Sequence, residues 1–495
     1  MLALVLYCVT KPVHVDDANF LRLAEGAAQD PWRPYDITIN WLGTTDRAFN
    51  VLSNPPGIGY WLAPVRHAPE WAMHLWMTPW LALALFGTAR LARVLGIAEE
   101  RAILILGTSP VFVLAAQSLN PDLPLTACAI AGIAGFLAGG RWAAAWAALA
   151  GASVFFKYSG LCVLPLVVLA GFQRGRVRQS LPVVLPALLL FAHDLLAYGQ
   201  VHAFAMAEFQ GRNGESYQWA LLFRKAVAAL AMLGGACLLP VLPWRLGALP
   251  FAAAGALLGV AAGVYSHHDA AQLAATVGCS AAGGLALGSL AVRTPDDRFL
   301  AVWLLGGYAF LLTLMFAATR YWLLFAPAIV LAALRRNPSD ARVGVAVAVS
   351  AALSFALAHD DDAFARGYRD AARELTQRYP DGLFIGHWGW QYYLEQGGWH
   401  AAELYQSVPS RLAVAFAPWP QQFDHNECLK REPARVLQSS WPIRAYSMAG
   451  AANFHSFLIS TRPPLETYAP WTIATDPYDQ VVLIWRCEAL PPEIR

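Results

Sequence analysis

Long apolar runs separated by short polar connections fill the first 358 residues of the chain. Twelve of them lie at about 71–93, 101–119, 122–138, 142–156, 159–172, 180–198, 219–243, 246–264, 270–291, 299–318, 320–334 and 342–358. A helix needs roughly 20 apolar residues to cross a bilayer, and several runs approach that length. The pattern predicts an α-helical polytopic membrane protein with about 12 to 13 transmembrane helices.

The start of the chain differs from the rest in length and polarity. Residues 1–10 are apolar but cover only about half of a bilayer crossing, so we expect the end of a truncated first helix whose true start lies upstream. Residues 11–70 form a long polar and aromatic loop. Tryptophan and tyrosine favour the membrane interface, which predicts short interfacial helices in this first external loop.

A different pattern begins at residue 359. It predicts helices at Phe364–Tyr379 and Gln391–Gln396, and strands at Leu383–Ile385, Arg411–Phe416 and Val481–Trp485. Alternating helices and strands indicate a small α/β layer. We therefore divide the chain into a transmembrane part, 1–358, and a soluble extracytoplasmic domain, 359–495.

The composition supports this division and excludes one class of partner. Hydrophobic residues make up 57% of the chain and charged residues only 14%, well below the roughly one quarter typical of soluble domains. The last 137 residues, by contrast, contain 16 acidic and 12 basic side chains. A net charge of +2 without a clustered basic face argues against a nucleic-acid partner.

The connections between apolar runs alternate in charge. One set contains thirteen arginines, at 90, 93, 101, 141, 174, 176, 178, 245, 293, 298, 335, 336 and 342. The short connections of the other set contain only Lys157, Arg212 and Arg320. The positive-inside rule places the first set in the cytoplasm. The first loop and the C-terminal domain are then outside the cytoplasmic (inner) membrane.

This topology gathers a group of polar side chains at the external edge: Asp16, Asp17, Asp122, Lys157, His193 and Arg320. Arginine and lysine hold phosphate, and a carboxylate acts as a general base on a hydroxyl. The group therefore suits a substrate with an anionic head and a lipid tail. Simpler explanations stay open: the aspartates as helix caps, and the two cations as side chains that reach from a helix end to the interface.

Metal binding and disulfide formation have weaker support in the sequence. His267, His268 and Asp269 lie together without a further ligand at fixed spacing, so the use of a divalent metal stays open and the sequence requires no cofactor. Cys428 and Cys487 are the two cysteines of the C-terminal domain, and an external location would allow a disulfide between them.

The Trp388–Trp390 segment is predicted to be domain core rather than a sugar platform.

Five motifs resemble those of the C-type membrane glycosyltransferases, in particular bacterial relatives of the protein O-mannosyltransferases and of the lipid A aminoarabinose transferase. They occur in the family's order, at residues 15–17 with Phe20, Leu23 and Ala24; at 54–57; at 120–124; at 156–160; and at 319–321 with Pro327. The chain departs from the family pattern by having Asp17 where glutamate is usual and Tyr158 where glycine is usual.

The resemblance implies inverting transfer of a sugar from a polyprenyl-phosphate donor to an acceptor hydroxyl outside the membrane. By position, Asp16 is the expected catalytic base and Asp17 its polar partner. Asp122 is expected to shape the site, while Lys157 and Arg320 stabilise the lipid-phosphate leaving group. The acceptor is a lipid, a glycan or a protein.

Two functions from other classes stay open on the sequence alone. A secondary transporter would use the external charges as part of a pathway, although such proteins often contain internal repeats and none is visible here. A non-catalytic membrane protein that binds lipid-linked glycans would use the same charges without turnover.

Overall fold

The computed structural model describes residues 7–41, 43–213, 219–237, 246–314, 316–403, 412–415, 429–439, 441–446, 454–455, 457–458 and 468–486. Within these ranges the chain is mostly helical, with a small sheet near its C-terminus, so the predicted fold class is confirmed. Residues 1–6, which hold most of the expected truncated helix, lie outside the described part, as do Cys428 and Cys487.

The first loop contains the short helices that the sequence predicts. They run over Asp17–Gln29, Ala48–Val51, Gly57–Leu62 and Glu70–Trp76, and a small antiparallel pair of strands, Thr38–Asn40 and Thr45–Arg47, lies between the first two. The helix Asp17–Gln29, called the first-loop helix below, buries most of one side against the rest of the molecule. The loop is therefore packed onto the helical part.

The apolar region is built from helices of unequal length. The α-helices are Thr78–Val94, Glu99–Thr108, Pro110–Ala116, Asp122–Ala138, Ala143–Gly151, Val163–Gln173, Val177–Ser180, Leu185–Tyr198, His202–Asn213, Trp219–Cys237, Leu249–Tyr265, Ala270–Gly288, Pro295–Thr313, Ala326–Leu334 and Asp340–Arg378. Single 3-10 turns at Ala152–Phe155, Tyr158–Cys162, Leu181–Val184, Leu246–Ala248 and Thr319–Leu324 join or extend several of them.

Four helical stretches of the described chain are long and apolar enough to cross a membrane. They are Val177–Tyr198, Leu246–Tyr265, Ala270–Gly288 and Asp340–Arg378. Large apolar side chains on their outer faces are exposed, as at Leu189, Leu196 and Leu257, which are 64%, 76% and 71% exposed. Exposed apolar surface of this extent is typical of a lipid-facing helix.

Prolines and polar turns divide several of the expected apolar runs. The run at 101–119 is two helices because Ser109 is extended and Pro110 begins a new helix, where its missing N–H costs nothing. The runs at 159–172 and 320–334 each begin with a 3-10 turn. These turns contain or directly follow Lys157 and Arg320, so the breaks in the helices coincide with predicted site residues.

The helix Asp122–Ala138 is almost completely buried at the centre of this assembly. The neighbouring helices approach it closely because the residues at the contacts are glycines, which have no side chain. A Cβ on Gly87 would lie 2.6 Å from the Ala131 nitrogen, and one on Gly132 would lie 2.3 Å from the Ala150 nitrogen. Small residues allow such backbone approach between apolar helices. This packing fixes the position of Asp122 at the start of the helix.

The helix Asp340–Arg378, called the long helix below, continues through the boundary that the sequence predicts at residue 359. The expected apolar run 342–358 and the expected helix Phe364–Tyr379 are one 39-residue element. Neither proline nor glycine interrupts it between Ser354 and Arg366, so the change from apolar to charged residues alters its surroundings without ending it. The division into 1–358 and 359–495 stays a prediction.

The C-terminal region, residues 359–495, contains a five-stranded mixed sheet. Its strands follow the order His400–Ala401, Leu383–Ile385, Leu412–Ala415, Asp479–Arg486 and Leu429–Leu437, with the first two pairs parallel and the last two antiparallel. The helix Trp388–Gln396 follows the second of these strands. Two-stranded pairs join Ile443–Arg444 to Thr472–Ile473 and Phe316–Ala317 to Phe457–Leu458. The three strands predicted from the sequence are all present.

Candidate active site

Asp16 lies at the turn that leads into the first-loop helix. Its neighbour Val15 has a φ of 46°, a left-handed conformation that is rare for a β-branched residue. The Asp16 side chain makes no hydrogen bond to the described backbone of the helix that it precedes, so it is not a helix cap. Its carboxylate instead pairs with the guanidinium of Arg320, and the side chain is 25% exposed.

Arg320 reaches this position from the 3-10 turn Thr319–Leu324. Its side chain is 9% exposed and lies between two carboxylates, those of Asp16 and Asp122. The Arg320 Nε atom is 3.8 Å from the Asp122 Oδ2 atom, close enough for electrostatic attraction but too far for a hydrogen bond. Both of these buried atoms have no hydrogen-bond partner among the described residues.

Lys157 completes the group from the other side of Asp122. Its Nζ atom donates to Asp122 Oδ1 at 2.7 Å and also lies 3.7 Å from the centre of the Tyr321 ring. The Lys157 backbone is extended between two 3-10 turns, which directs the side chain inward rather than along a helix surface. Because it is 14% exposed and paired, Lys157 does not reach out to the interface as a lone cation would.

Asp16, Arg320, Asp122 and Lys157 therefore form one chain of alternating charge, called the charge network below. Four segments far apart in sequence contribute one residue each. Two carboxylates and two cations sum to zero, which is what burial demands, since an unpaired buried charge is strongly destabilising. The network is open to solvent chiefly at Asp16, while Asp122 is buried.

Asp17 does not belong to the charge network, although it follows Asp16 directly. Its Oδ1 atom accepts a hydrogen bond from the Leu119 backbone N–H at 2.9 Å. Its Oδ2 atom accepts a longer one from the His14 backbone N–H at 3.4 Å. Successive helical residues point about 100° apart, so only one of the two aspartates faces Arg320. The structure therefore gives the two aspartates different partners, Arg320 for Asp16 and backbone N–H groups for Asp17. The role of Asp17 as the polar partner of the catalytic base stays a prediction.

His193 also lies apart from the charge network. Its Nε2 atom is 2.9 Å from the Trp32 carbonyl oxygen, and its Nδ1 atom is 3.4 Å from Asp194 Oδ1. The helix Leu185–Tyr198 brings this side chain against Trp32 of the first loop, whose ring centre lies 4.8 Å from that of His193. The described contacts of His193 are therefore with Trp32 and Asp194 and not with the charge network, and its role in substrate binding stays a prediction.

A second polar group connects His193 to the neighbourhood of Lys157. Asp194 Oδ2 accepts from the His202 backbone N–H at 3.1 Å, and the His202 Nδ1 atom is 2.7 Å from the Tyr158 hydroxyl. His202 is fully buried, and burial lowers its pKa to about 4, so the ring is neutral at pH 7. Sequence reasoning missed His202 because it is a lone histidine in an apolar stretch. Tyr158 was visible only as a departure from the family motif.

The described residues at this edge do not include enough side-chain ligands to hold a metal ion. Among the described residues, no group of three or more histidine, cysteine, aspartate or glutamate side chains is arranged so that it could hold a metal ion. Asp269, one of the weak metal candidates, caps the helix Ala270–Gly288 through a capping box with Gln272. In the charge network the carboxylates of Asp16 and Asp122 are bridged by Arg320.

Comparisons with known proteins find similarity at the level of solved structures. No protein-family model matches the chain, and no curated protein matches it. ArnT from Cupriavidus metallidurans, solved with undecaprenyl phosphate bound, is 13% identical, with a TM-score of 0.45 over 99% of this chain and 97% of that chain.

Two structures of the Archaeoglobus fulgidus oligosaccharyltransferase are also similar. AglB, in complex with an inhibitory peptide and a dolichol-phosphate, is 13% identical, with a TM-score of 0.42 over 83% of this chain and 69% of that chain. The complex with Zn and sulfate gives 13% identity and a TM-score of 0.41 over 82% of this chain, which spans 64% of that chain. Similarities this low carry no functional argument, so the function must be inferred from the site itself.

The burial of Asp17 predicts a measurable pH dependence of stability. Burial raises the pKa of this carboxyl from 3.8 to about 6. Below about pH 4 the carboxyl is protonated whether the chain is folded or unfolded. As the pH rises through about 6, the folded protein must ionise a buried group, and stability of up to about 3 kcal/mol is lost.

Asp17→Asn cannot ionise and keeps an oxygen to accept the Leu119 N–H. We expect its unfolding temperature, relative to wild type, to rise between about pH 4.5 and pH 7. The measurement is thermal unfolding in detergent at both pH values. Asp340→Asn, at a side chain that is 89% exposed, is the control for loss of a carboxylate. A difference for Asp17→Asn that does not change with pH would contradict the buried-carboxyl interpretation.

Proposed function

We propose that the protein is a membrane glycosyltransferase that transfers a sugar from a polyprenyl-phosphate donor to an acceptor hydroxyl, with inversion at the anomeric carbon. The single observation that supports this most strongly is the charge network. A partly exposed carboxylate, Asp16, is paired with Arg320, and a second cation, Lys157, joins the same network through Asp122. The cations can bind the phosphate of a lipid whose tail lies in the apolar surroundings. The carboxylate can accept the proton of the attacking hydroxyl.

The proposed reaction divides the work between the two kinds of charge. Asp16 takes the proton from the acceptor hydroxyl as its oxygen forms a bond to the anomeric carbon. The bond from that carbon to the phosphate oxygen breaks, and its electron pair leaves with the lipid phosphate. Arg320 and Lys157 stabilise the negative charge that develops there, so the leaving group needs no proton.

The arrangement also implies competition for Arg320. Its guanidinium pairs with Asp16, while its Nε atom faces Asp122 at 3.8 Å without a hydrogen bond. An incoming phosphate oxygen competes with the Asp16 carboxylate for the same donors. Binding of the donor lipid therefore releases Asp16 from its ion pair and leaves the carboxylate free to accept a proton.

Asp16→Asn tests the base and the competition together. We expect its turnover to fall roughly 100-fold or more, because the amide cannot accept the proton. Its affinity for undecaprenyl phosphate should rise roughly fivefold, because Arg320 loses a competing ion pair worth about 1 kcal/mol. Turnover is measured as release of undecaprenyl phosphate from synthetic undecaprenyl-phosphate sugars, and affinity with radiolabelled undecaprenyl phosphate.

The control for this experiment lies in the same loop. Asp30→Asn changes an exposed carboxylate whose side chain accepts hydrogen bonds from the backbone of Trp32 and Arg33. It should leave turnover and binding near those of wild type. Full activity of Asp16→Asn would falsify the role of Asp16 as the base, whereas weaker lipid binding would contradict only the competition. Binding without turnover of any donor would favour a non-catalytic glycan-binding protein.

Lys157→Met tests the phosphate site separately from the base. Removal of the ammonium group should weaken binding of undecaprenyl phosphate at least about tenfold, or about 1.4 kcal/mol. Arg320 remains 3.8 Å from Asp122 in this variant, but the network loses one of its two cations, so thermal unfolding is measured beside lipid binding to separate lost binding from lost folding. Lys225→Met is the matched control, since Lys225 is also buried but donates to the Leu314 carbonyl. Equal loss of lipid binding in both variants would contradict a specific role of Lys157.

A further inference from the structure

The backbone that leads to Asp16 is held by the C-terminal region, although nearly 400 residues separate them in sequence. The Val13 N–H donates to the Tyr393 hydroxyl at 2.9 Å, and Tyr393 in turn donates to Glu70 at 3.0 Å. Gly389 lies against the same residue. A Cβ at that position would lie only 2.2 Å from the Val13 carbonyl oxygen. The helix Trp388–Gln396 therefore contacts both polar groups of the Val13 backbone.

A buried ion pair holds the same segment from a second direction. Lys11 Nζ donates to Asp361 Oδ2 at 2.8 Å, and His455 Nε2 lies 2.8 Å from Asp361 Oδ1. His14 approaches that same Oδ1 atom at 3.5 Å. Burial lowers the pKa of His14 to about 3, so this ring is neutral and the charge of Asp361 is balanced by Lys11. Asp361 comes from the long helix and His455 from the C-terminal region.

Between these contacts and the charge network lies Val15, with its φ of 46°. Strained backbone of this kind persists only where the surroundings determine the conformation. The surroundings here are the contacts to Lys11, Val13 and His14 on one side and the first-loop helix on the other. The direction of the Asp16 side chain therefore depends on contacts made by the C-terminal region.

The C-terminal region also contacts the segment that presents Arg320. The strand Phe457–Leu458 pairs with Phe316–Ala317, which ends two residues before the 3-10 turn that carries Arg320. Both members of the Asp16–Arg320 ion pair are thus preceded by backbone that the C-terminal region holds.

We propose that Gly389, Tyr393 and Asp361 are positioning residues: through the backbone of residues 11–15 they set the direction of the Asp16 carboxylate in the charge network. The proposal rests on the proposed role of Asp16 as the base. It gives the Trp388–Trp390 segment, which the sequence predicts to be domain core, a second role. Trp390 is fully buried in the core, whereas Gly389 faces the Val13 backbone.

Gly389→Ala tests this proposal because its added methyl group must displace the Val13 carbonyl. We expect turnover to fall roughly 10- to 100-fold, since a shift of about 1 Å in a catalytic group has an effect of this size. Binding of undecaprenyl phosphate should not weaken, because a displaced Asp16 leaves Arg320 free for the phosphate. Amide hydrogen exchange of residues 11–16 should become faster.

Gly367→Ala is the matched control. Gly367 lies on the long helix, and a Cβ there would make ordinary contacts of 3.5 to 3.6 Å with Leu437. It should resemble wild type in turnover, lipid binding and hydrogen exchange. Tyr393→Phe removes only the hydroxyl that accepts the Val13 N–H, and it serves in place of Gly389→Ala if that variant does not fold. It should show the same changes, to a smaller extent.

The outcomes separate the positioning role from general damage. Wild-type turnover in both Gly389→Ala and Tyr393→Phe overturns the proposal, as does a parallel loss of turnover, lipid binding and thermal stability. If wild-type protein turns over no donor, the proposed function fails. Hydrogen exchange of residues 11–16 then decides the structural part, and unchanged exchange in both variants overturns it.

Discussion

The neutralisation of charge inside an apolar assembly is the constraint on which the rest of this structure depends. Arg320 is 9% exposed and Asp122 is buried, and neither charge could lie there without a partner. Each charge therefore requires a segment that supplies its partner. The first loop supplies Asp16 for Arg320, and the residue before the 3-10 turn at Tyr158 supplies Lys157 for Asp122. Charge pairing thus specifies how four distant segments meet, and the same pairing creates the candidate active site.

Buried charges are also neutralised at a second place, five residues before Asp16, where Lys11 pairs with Asp361. Lys11 and Asp361 are both almost completely buried, with side chains 1% and 3% exposed, and they form an ion pair at 2.8 Å. A buried pair of this kind contributes little net stability, because desolvation offsets the attraction, but breaking it is costly. Its effect is to determine which part of the long helix lies against the start of the first loop. The two ion-paired groups flank Val15, so the loop is fixed on both sides of its strained residue.

The neutrality of the charge network has a consequence for ligand binding. Two carboxylates and two cations are balanced as they stand, so in the proposed function a lipid phosphate competes with a carboxylate for its cation. Asp122 is buried and is held by the tight packing of its helix, whereas Asp16 is 25% exposed and lies on a loop. In the proposed reaction, Asp16 is therefore the carboxylate that the lipid phosphate displaces from Arg320, and it is also the group that must be free to accept the proton.

The sequence by itself determined the helical membrane class, the short helices of the first loop, the strands predicted at Leu383–Ile385 and Val481–Trp485, and the four charged residues that form the candidate site. It could do so because apolar runs and isolated charges in apolar surroundings are local signals. Only the tertiary structure separated Asp16 from Asp17 and moved His193 away from the network, because the direction of a side chain depends on helix phase and on distant partners. Likewise, the contact between Gly389 and Val13 joins residues 376 positions apart, and no local pattern encodes which backbone a glycine will meet.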